Sequence, residues 1–437
     1  MSKIAFLVYE PLKKKRANDS FDGNDNIGAL VVKDILERAG HAVGFCAPET
    51  AKECRVVLVS LTSTYDVYSF YRHVAKRPEW QPGKRTFKVV LGGFGLQNPY
   101  TIRNFADYAL FGRADDIVID LVAAALDGKP FYHASVMNLP EITPVEIAQT
   151  KALYPHPVSF SGKVFEESFV GCPNKCKFCH YTWARRSTGH SGEYVNRTLA
   201  GLSSPEMTWK QMMLSDGKLG RTRSAIDGFS ERLRYNFGKK ISNADIVAGI
   251  ERLGAYEGNT VCIVYNIGSM PTETDADRAE LYRVMGSANP ENRVIIVLHS
   301  TPFRPSLATP MQWEAVTLAP NWNKLGGKAF FDSDKLRCVH STGNEAPYSH
   351  LISVVAERAT EKTDKLFHAI CFHPKLQSGT SARRVEMVTR NFDVEQYTRR
   401  YEIGEEGFPA WFLAGYVKNK GIAAIARAMR GKCQSNL

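Results

Sequence analysis

The sequence predicts an α/β fold: a doubly wound N-terminal domain, then a partial β/α barrel, then a small helical C-terminal region. Three observations predict it. Short apolar runs rich in β-formers alternate with helical periodicity over about the first 130 residues. A proline-containing stretch without periodicity follows, and alternation resumes from about residue 161. Beyond about residue 320 the remaining signals are helical. The expected divisions are therefore 1–130, a linker at 131–160, a core at 161–320, and a region at 321–437 that completes or caps the barrel.

The elements follow in order. "KIAFLVYE" reads as a buried strand, and "NIGALVVKDILERAG" as a helix with apolar residues at helical spacing and a glycine past its end. "HAVGFC", "RVVLVSLTST", "FKVVLGGFG" and "ADYALFG" are further strands, and "DDIVIDLVAAALDG" is helical. Strands alternating with helices indicate a parallel sheet covered on both faces. Pro130, Pro140, Pro144, Pro155 and Pro157 mark the linker. "VFEESFVG" is expected as a strand running into a cysteine-rich loop. "QMMLSDG", "RSAIDG", "VCIVYNIG" and "RVIIVLHS" read as later strands, with "NADIVAGIERLGAY" helical between two of them. In such βα arrays the chemistry sits at the C-terminal ends of the strands. "YSHLISVVAERA" and "GIAAIARAMRGK" are helical.

The 437 residues suffice for two or three cores, and the net charge is +11. Lys13 to Arg16 ("KKKR") and Lys418, Lys420, Arg427, Arg430 and Lys432 contribute to it. The surplus suits either a soluble basic surface or a phosphate-bearing partner such as nucleic acid or a nucleotide. "MSKIAFLVYE" lacks the apolar core and cleavage site of a secretory signal, and no apolar run reaches a membrane span, so a cytoplasmic protein without a membrane partner is expected. Nine cysteines, scattered apart from one cluster, argue against a disulfide framework. Cys46, Cys54, Cys262, Cys338, Cys371 and Cys433 read as free thiols.

The cluster is "GCPNKCKFCHYTW", in which Cys172, Cys176 and Cys179 are spaced C-x3-C-x2-C. Soft thiolates at this density suit zinc or an iron–sulfur cluster. Structural zinc takes four ligands, and His180 is the immediate neighbour of Cys179, a poor position from which to complete such a site. A [4Fe–4S] cube normally takes four cysteines, so three leave one iron open to a substrate or cofactor. A zinc knuckle, a catalytic three-cysteine zinc and a purely electron-carrying cluster are the competing readings.

This spacing, with Phe178 in the aromatic place, resembles the signature of the radical S-adenosylmethionine superfamily. "SAIDGFSERLR", "VYNIGSMPTETDAD" and "VLHSTPFRPSLATPMQWE" resemble, in order and spacing, segments of its subgroup with an N-terminal cobalamin-binding-type, Rossmann-like domain. "VVLGGFGLQNPYTIRNFADYALFGRADD" resembles the late part of that domain. The resemblance covers about residues 1–320. It implies a [4Fe–4S] cluster on Cys172, Cys176 and Cys179 whose open iron chelates S-adenosylmethionine. Reductive cleavage would then give a 5′-deoxyadenosyl radical, with a reductant such as flavodoxin or ferredoxin as partner. Carried over by residue, Ser215 and Asp216 follow the strand that receives the methionine amine. Asp227 and Ser230 would hold the ribose or methionyl end, and Arg234 its carboxylate. Gly268 would shape the pocket floor, and Phe178 would pack beside the cofactor.

The chain departs from the subgroup at "RADD", at "GGFG" and at Ser269 and Met270, and it lacks the D-x-H-x-x-G signature. These departures leave cobalamin an open possibility. Two reactions are compatible with the resemblance. One is isomerisation or modification of a nucleic-acid base, including a hypermodified thymine in viral DNA, with Tyr181, Trp183 and Arg186 near the base. The alternative is cobalamin-dependent methylation of a peptide or small metabolite. A non-catalytic cluster protein is a third reading, which the full set of cofactor segments disfavours.

Overall fold

The computed structural model describes residues 3–8, 27–149, 152–160, 163–167, 172, 174–184, 221–255, 260–291, 293–318, 346–372, 376, 380–405, 408 and 411–434. The predicted strand "QMMLSDG", with Ser215 and Asp216, lies outside these residues, as do Lys13 to Arg16 and Arg186.

The first sheet has six strands: β1 (Ile4–Leu7), β2 (Val43–Cys46), β3 (Val56–Ser60), β4 (Lys88–Gly92), β5 (Tyr108–Leu110) and β6 (Val136–Asn138). Their order is β2-β1-β3-β4-β5-β6. All neighbours are parallel except β5 and β6. Runs such as "VVLVS" in β3 show no alternation because both faces are covered. The helix Ile27–Arg38 covers one face through Ala29, Leu30, Val31, Ile35 and Leu36. The helix Val118–Asp127 joins it and ends at Gly128, whose φ of 69° lets the chain turn back. The sheet extends past residue 130: β6 adds an antiparallel edge inside the stretch expected as linker.

The second sheet is parallel, with β9 (Arg221–Ala225), β10 (Thr260–Gly268) and β11 (Val294–Pro302) side by side in that order. Between them run the helices Asn243–Gly254 and Asp275–Ser287. Each starts with a reciprocal cap, Ser242 with Asp245 and Thr274 with Asp277, which satisfies the first free backbone N–H groups. Ile226, Phe229, Ile246, Ile250, Leu281 and Met285 form the core beneath. These are the βα units the sequence predicts at "RSAIDG", "VCIVYNIG" and "RVIIVLHS". "VFEESFVG" differs. Its described part, β8 (Lys163–Phe165), pairs antiparallel with β7 (Val158–Phe160) in a separate two-stranded sheet.

The C-terminal helices Ala346–Arg358, Asp364–Phe372, Ser381–Asn391 and Ile422–Gln434 close the other face of the first sheet. Tyr71 meets Phe367 edge to face at 5.3 Å between ring centroids, and Tyr68 meets Tyr348 at 6.3 Å. Among the described residues no helix is long and apolar enough to cross a membrane.

The last turn of Ala346–Arg358 ties three regions together. Glu357, fully buried, accepts from Thr64 Oγ1 at 3.0 Å and pairs with Arg304 at 2.8 Å. Arg358, also buried, donates to the carbonyls of Gln312 (2.9 Å), Glu314 (2.5 Å), Tyr397 (3.0 Å) and Arg399 (2.9 Å). Replacing it strands buried acceptors, each costing about 1–3 kcal/mol. Arg358→Met should therefore lower stability by at least about 3 kcal/mol in urea unfolding, since several acceptors lose their donor together. An unchanged midpoint would show that these bonds hold nothing together.

Candidate active site

The cysteine loop sits against the C-terminal end of the second sheet and is fastened on several sides. Lys177 donates its backbone N–H to Phe237 O at 2.8 Å and its ammonium to Asn236 O at 2.6 Å. The carbonyl of Lys177 accepts from Met311 N at 3.2 Å, past the end of β11. Cys179 N donates to Cys176 O at 3.1 Å, tightening the turn. The short helix His180–Ala184 follows. His180 Nδ1 donates to Leu307 O at 2.6 Å, and Trp183 Nε1 donates to Cys176 O at 2.9 Å. Tyr416, from the C-terminal region, donates to Trp183 O. Phe94 of the first sheet packs on His180 and Tyr181, at 5.2 and 5.7 Å between ring centroids.

Cys176 is buried, and Cys172 and Cys179 are half-buried. Burial pushes the Cys176 thiol up to about 12, against the nearby Lys239 ammonium, which pulls it down. Asp227, Cys179 and Cys172 also lie close enough to act on it. Lys239 forms a 2.8 Å ion pair with Asp227, and both side chains are only 16% exposed. Gly238, the residue before Lys239, presents its carbonyl 3.9 Å from the Cys176 sulfur.

Non-glycine residues adopt left-handed backbone conformations beyond each strand of the second sheet. Asp227 (φ 51°) follows β9, Ser269 (56°) and Thr272 (68°) follow β10, and Ala308 (58°) lies beyond β11. Such conformations cost of order 1–3 kcal/mol each and persist where surroundings enforce them. At Asp227 the enforcement is visible. Gly228 N donates to the buried Asn266 Oδ1 at 2.7 Å, and the Lys239 pair holds the side chain.

Of the residues singled out from sequence, Asp227 joins the three cysteines at one place. Ser230 is buried, caps the helix Glu231–Asn236 through Leu233 N, and donates to Asp277 Oδ1 at 2.5 Å. Arg234 is buried and donates to Ile241 O (2.8 Å), Gly228 O (3.1 Å) and Asn243 Oδ1. Its guanidinium thus fixes the loop that carries Asp227. Gly268 ends β10, and its carbonyl accepts from Phe303 N at 2.7 Å. Phe178 packs on the second core. Trp183, read from sequence as a stacking or packing residue, is buried and packs. Lys239 and Gly238 gave no signal in the sequence. The fold brings them to the cysteines through the hydrogen bond of Lys177 N to Phe237 O and the contact of Gly238 O with Cys176.

The donor set fits a cluster. Three thiols gather within mutual electrostatic reach, one buried and two with an open side. Among the described residues, no three His, Cys, Asp or Glu side chains converge on a single-ion site.

A cavity of about 510 Å³ opens at the C-terminal edge of the first sheet, where strand order reverses between β1 and β3. Its walls are apolar, with Leu58, Val90, Leu110 and Val118 among them, and Arg113, Asp115 and Glu167 also line it. A Cβ on Gly92 would meet no atom within 4 Å, so that position faces open space. Tyr181, two residues beyond Cys179, also lines the cavity, which links it to the cysteine loop. Folds of this topology hold flat cofactors at such a reversal.

No family model and no curated protein matches the chain. Among solved structures it shows a distant likeness to the cobalamin-dependent S-adenosylmethionine radical enzyme OxsB. For the apo, selenomethionine-labelled form the identity is 11% and the TM-score 0.30, over 92% of this chain and 64% of that one. For the form with aqua-cobalamin the values are 10% and 0.28, and for the form with aqua-cobalamin and S-adenosylmethionine 10% and 0.27. Both of these matches cover 97% of this chain and 56% of the other. The chain thus spans less than two thirds of the length of the proteins it matches.

Gly238 has φ +83°, and a Cβ there would come within 2.5 Å of Lys175 O. Gly238→Ala should therefore displace the cysteine loop. The expected result is lower iron content after anaerobic reconstitution with little change in far-ultraviolet circular dichroism. Full iron content in the variant would show that this contact does not seat the loop.

Proposed function

We propose that the chain is a radical S-adenosylmethionine enzyme whose first sheet holds a second cofactor or the substrate. The observation that carries this reading is the C-x3-C-x2-C loop, seated beside Asp227 at the C-terminal end of a parallel βα sheet. Cys172, Cys176 and Cys179 would hold the [4Fe–4S] cluster, one cysteine per iron. Bound there and reduced by a flavodoxin- or ferredoxin-type partner, it supplies the electron that cleaves S-adenosylmethionine to a hydrogen-abstracting 5′-deoxyadenosyl radical.

The chain's own residues prepare that chemistry. Arg234 and Ser230 hold the strand-end loop in its strained form and so aim Asp227 at the cysteines. Trp183 and Tyr416 pack behind the loop and keep solvent from its back. The turn at Gly268 bounds the same end of the sheet. Tyr181 lies between loop and cavity, so a group bound in the cavity would approach the cysteines past its ring.

Of the two reaction classes, the cavity favours cobalamin-dependent methyl transfer to a carbon of a peptide or small metabolite. Its apolar walls and its position at the strand reversal suit the flat ring of a corrin. Isomerisation or modification of a nucleic-acid base draws on the basic charge and on Tyr181, Trp183 and Arg186 after the cysteines. Trp183, one stacking candidate, is occupied in packing.

Two outcomes check these readings. Each of Cys172→Ala, Cys176→Ala and Cys179→Ala should abolish 5′-deoxyadenosine release under reduction, because two thiolates do not replace three. Full release from the triple variant would contradict the assignment. Protein reconstituted with hydroxocobalamin should keep corrin absorbance through gel filtration, and Gly92→Trp should lose it. A parent protein that keeps iron and sulfide but no corrin would favour the nucleic-acid reading, which predicts binding to DNA that weakens steeply with salt.

A further inference from the structure

We propose that the Lys239–Asp227 ion pair, held beside the cysteine loop, tunes the reduction potential of the cluster on Cys172, Cys176 and Cys179. This rests on the cluster reading above and adds a role for a residue outside the cysteine motif.

The geometry carries it. Lys239 and Asp227 face each other at 2.8 Å, largely shielded from water. Lys239 N donates to Arg234 O at 2.8 Å, and the carbonyl of Gly238 lies 3.9 Å from the Cys176 sulfur. The backbone thus fixes the root of the Lys239 side chain beside the loop. Lys239 and Asp227 both lie close enough to Cys176 to act on its sulfur. The pair therefore places a fixed cation and a fixed anion together beside the cysteine loop.

Burying a lysine against one carboxylate is expensive unless further negative charge lies nearby. With the cluster bound, its three cysteine thiolates would provide it. Accepting one electron adds a negative charge to the cluster, and a fixed cation close to it stabilises the reduced form. Net charge and burial are among the levers that set such potentials. Screening by salt is weak for a buried pair. Asp227 moderates the effect, so the two residues act in opposite directions.

The test is a redox titration of the reconstituted full-length protein, followed by electron paramagnetic resonance, with iron and sulfide measured on every sample. Lys239→Met should shift the midpoint to more negative potential, Asp227→Asn to more positive, and Lys239→Arg should leave it near that of the parent. Opposite shifts from two neutralising substitutions are not produced by loosened packing, which would move both in one direction. Variants that hold full iron and share the parent's midpoint would overturn the assignment while leaving the cluster standing. A parent protein that binds no iron would overturn both.

Discussion

On the proposed reading, three thiolates must be presented within eight residues with one coordination direction open, and the packing around the cysteine loop serves that constraint. A loop that short does not hold its own shape. Its fastening comes from Phe237 and Asn236 below, Met311 and Leu307 at the side, and Trp183 behind. Tyr416 then locks Trp183 from the C-terminal region, and Phe94 reaches the loop from the first sheet. Every major part of the fold thus touches the cysteine loop or its following helix. The two sheets share the loop as a common boundary, with the strained strand ends on one side and the cavity on the other.

The same economy appears at the helix Ala346–Arg358. Glu357 and Arg358 are adjacent, buried and charged, yet they serve different neighbours. Glu357 reaches Thr64, at the start of the helix Thr64–Phe70 after β3, and Arg304 beyond β11, and Arg358 gathers four backbone carbonyls. Glu357 Oε1 and both terminal nitrogens of Arg358 are partnered, while Glu357 Oε2 and Arg358 Nε are buried without a hydrogen-bond partner. The C-terminal helices are therefore part of the first sheet's core, an arrangement different from a simple cap on the second.

Much of this was legible from the amino acids. The strands β1, β3, β4 and β5 stand out because both faces are buried, which leaves nearly unbroken apolar runs. β6 was hidden: it has three residues, lies at an edge, and follows a proline-containing stretch. The cysteine spacing pointed to the candidate site, since thiols at that density have few other uses. The roles within "SERLR" were less readable. Ser230, Glu231, Arg232 and Arg234 form a bonded network with Asp277, Glu280, Thr272 and Asn243, and nothing local distinguishes such a network from ligand contacts. Lys239 was invisible for the same reason. Its partner lies twelve positions earlier, and their meeting depends on the turn through Gly238.

The central claim is a cluster with three protein ligands and one iron left for a small-molecule ligand. Mössbauer spectroscopy of iron-57-enriched, anaerobically reconstituted protein tests it most directly, before and after S-adenosylmethionine is added. The account predicts that one iron of the cube changes its isomer shift on addition while the others keep theirs. Equivalent irons in both spectra, or a protein that holds zinc in place of iron, would contradict it.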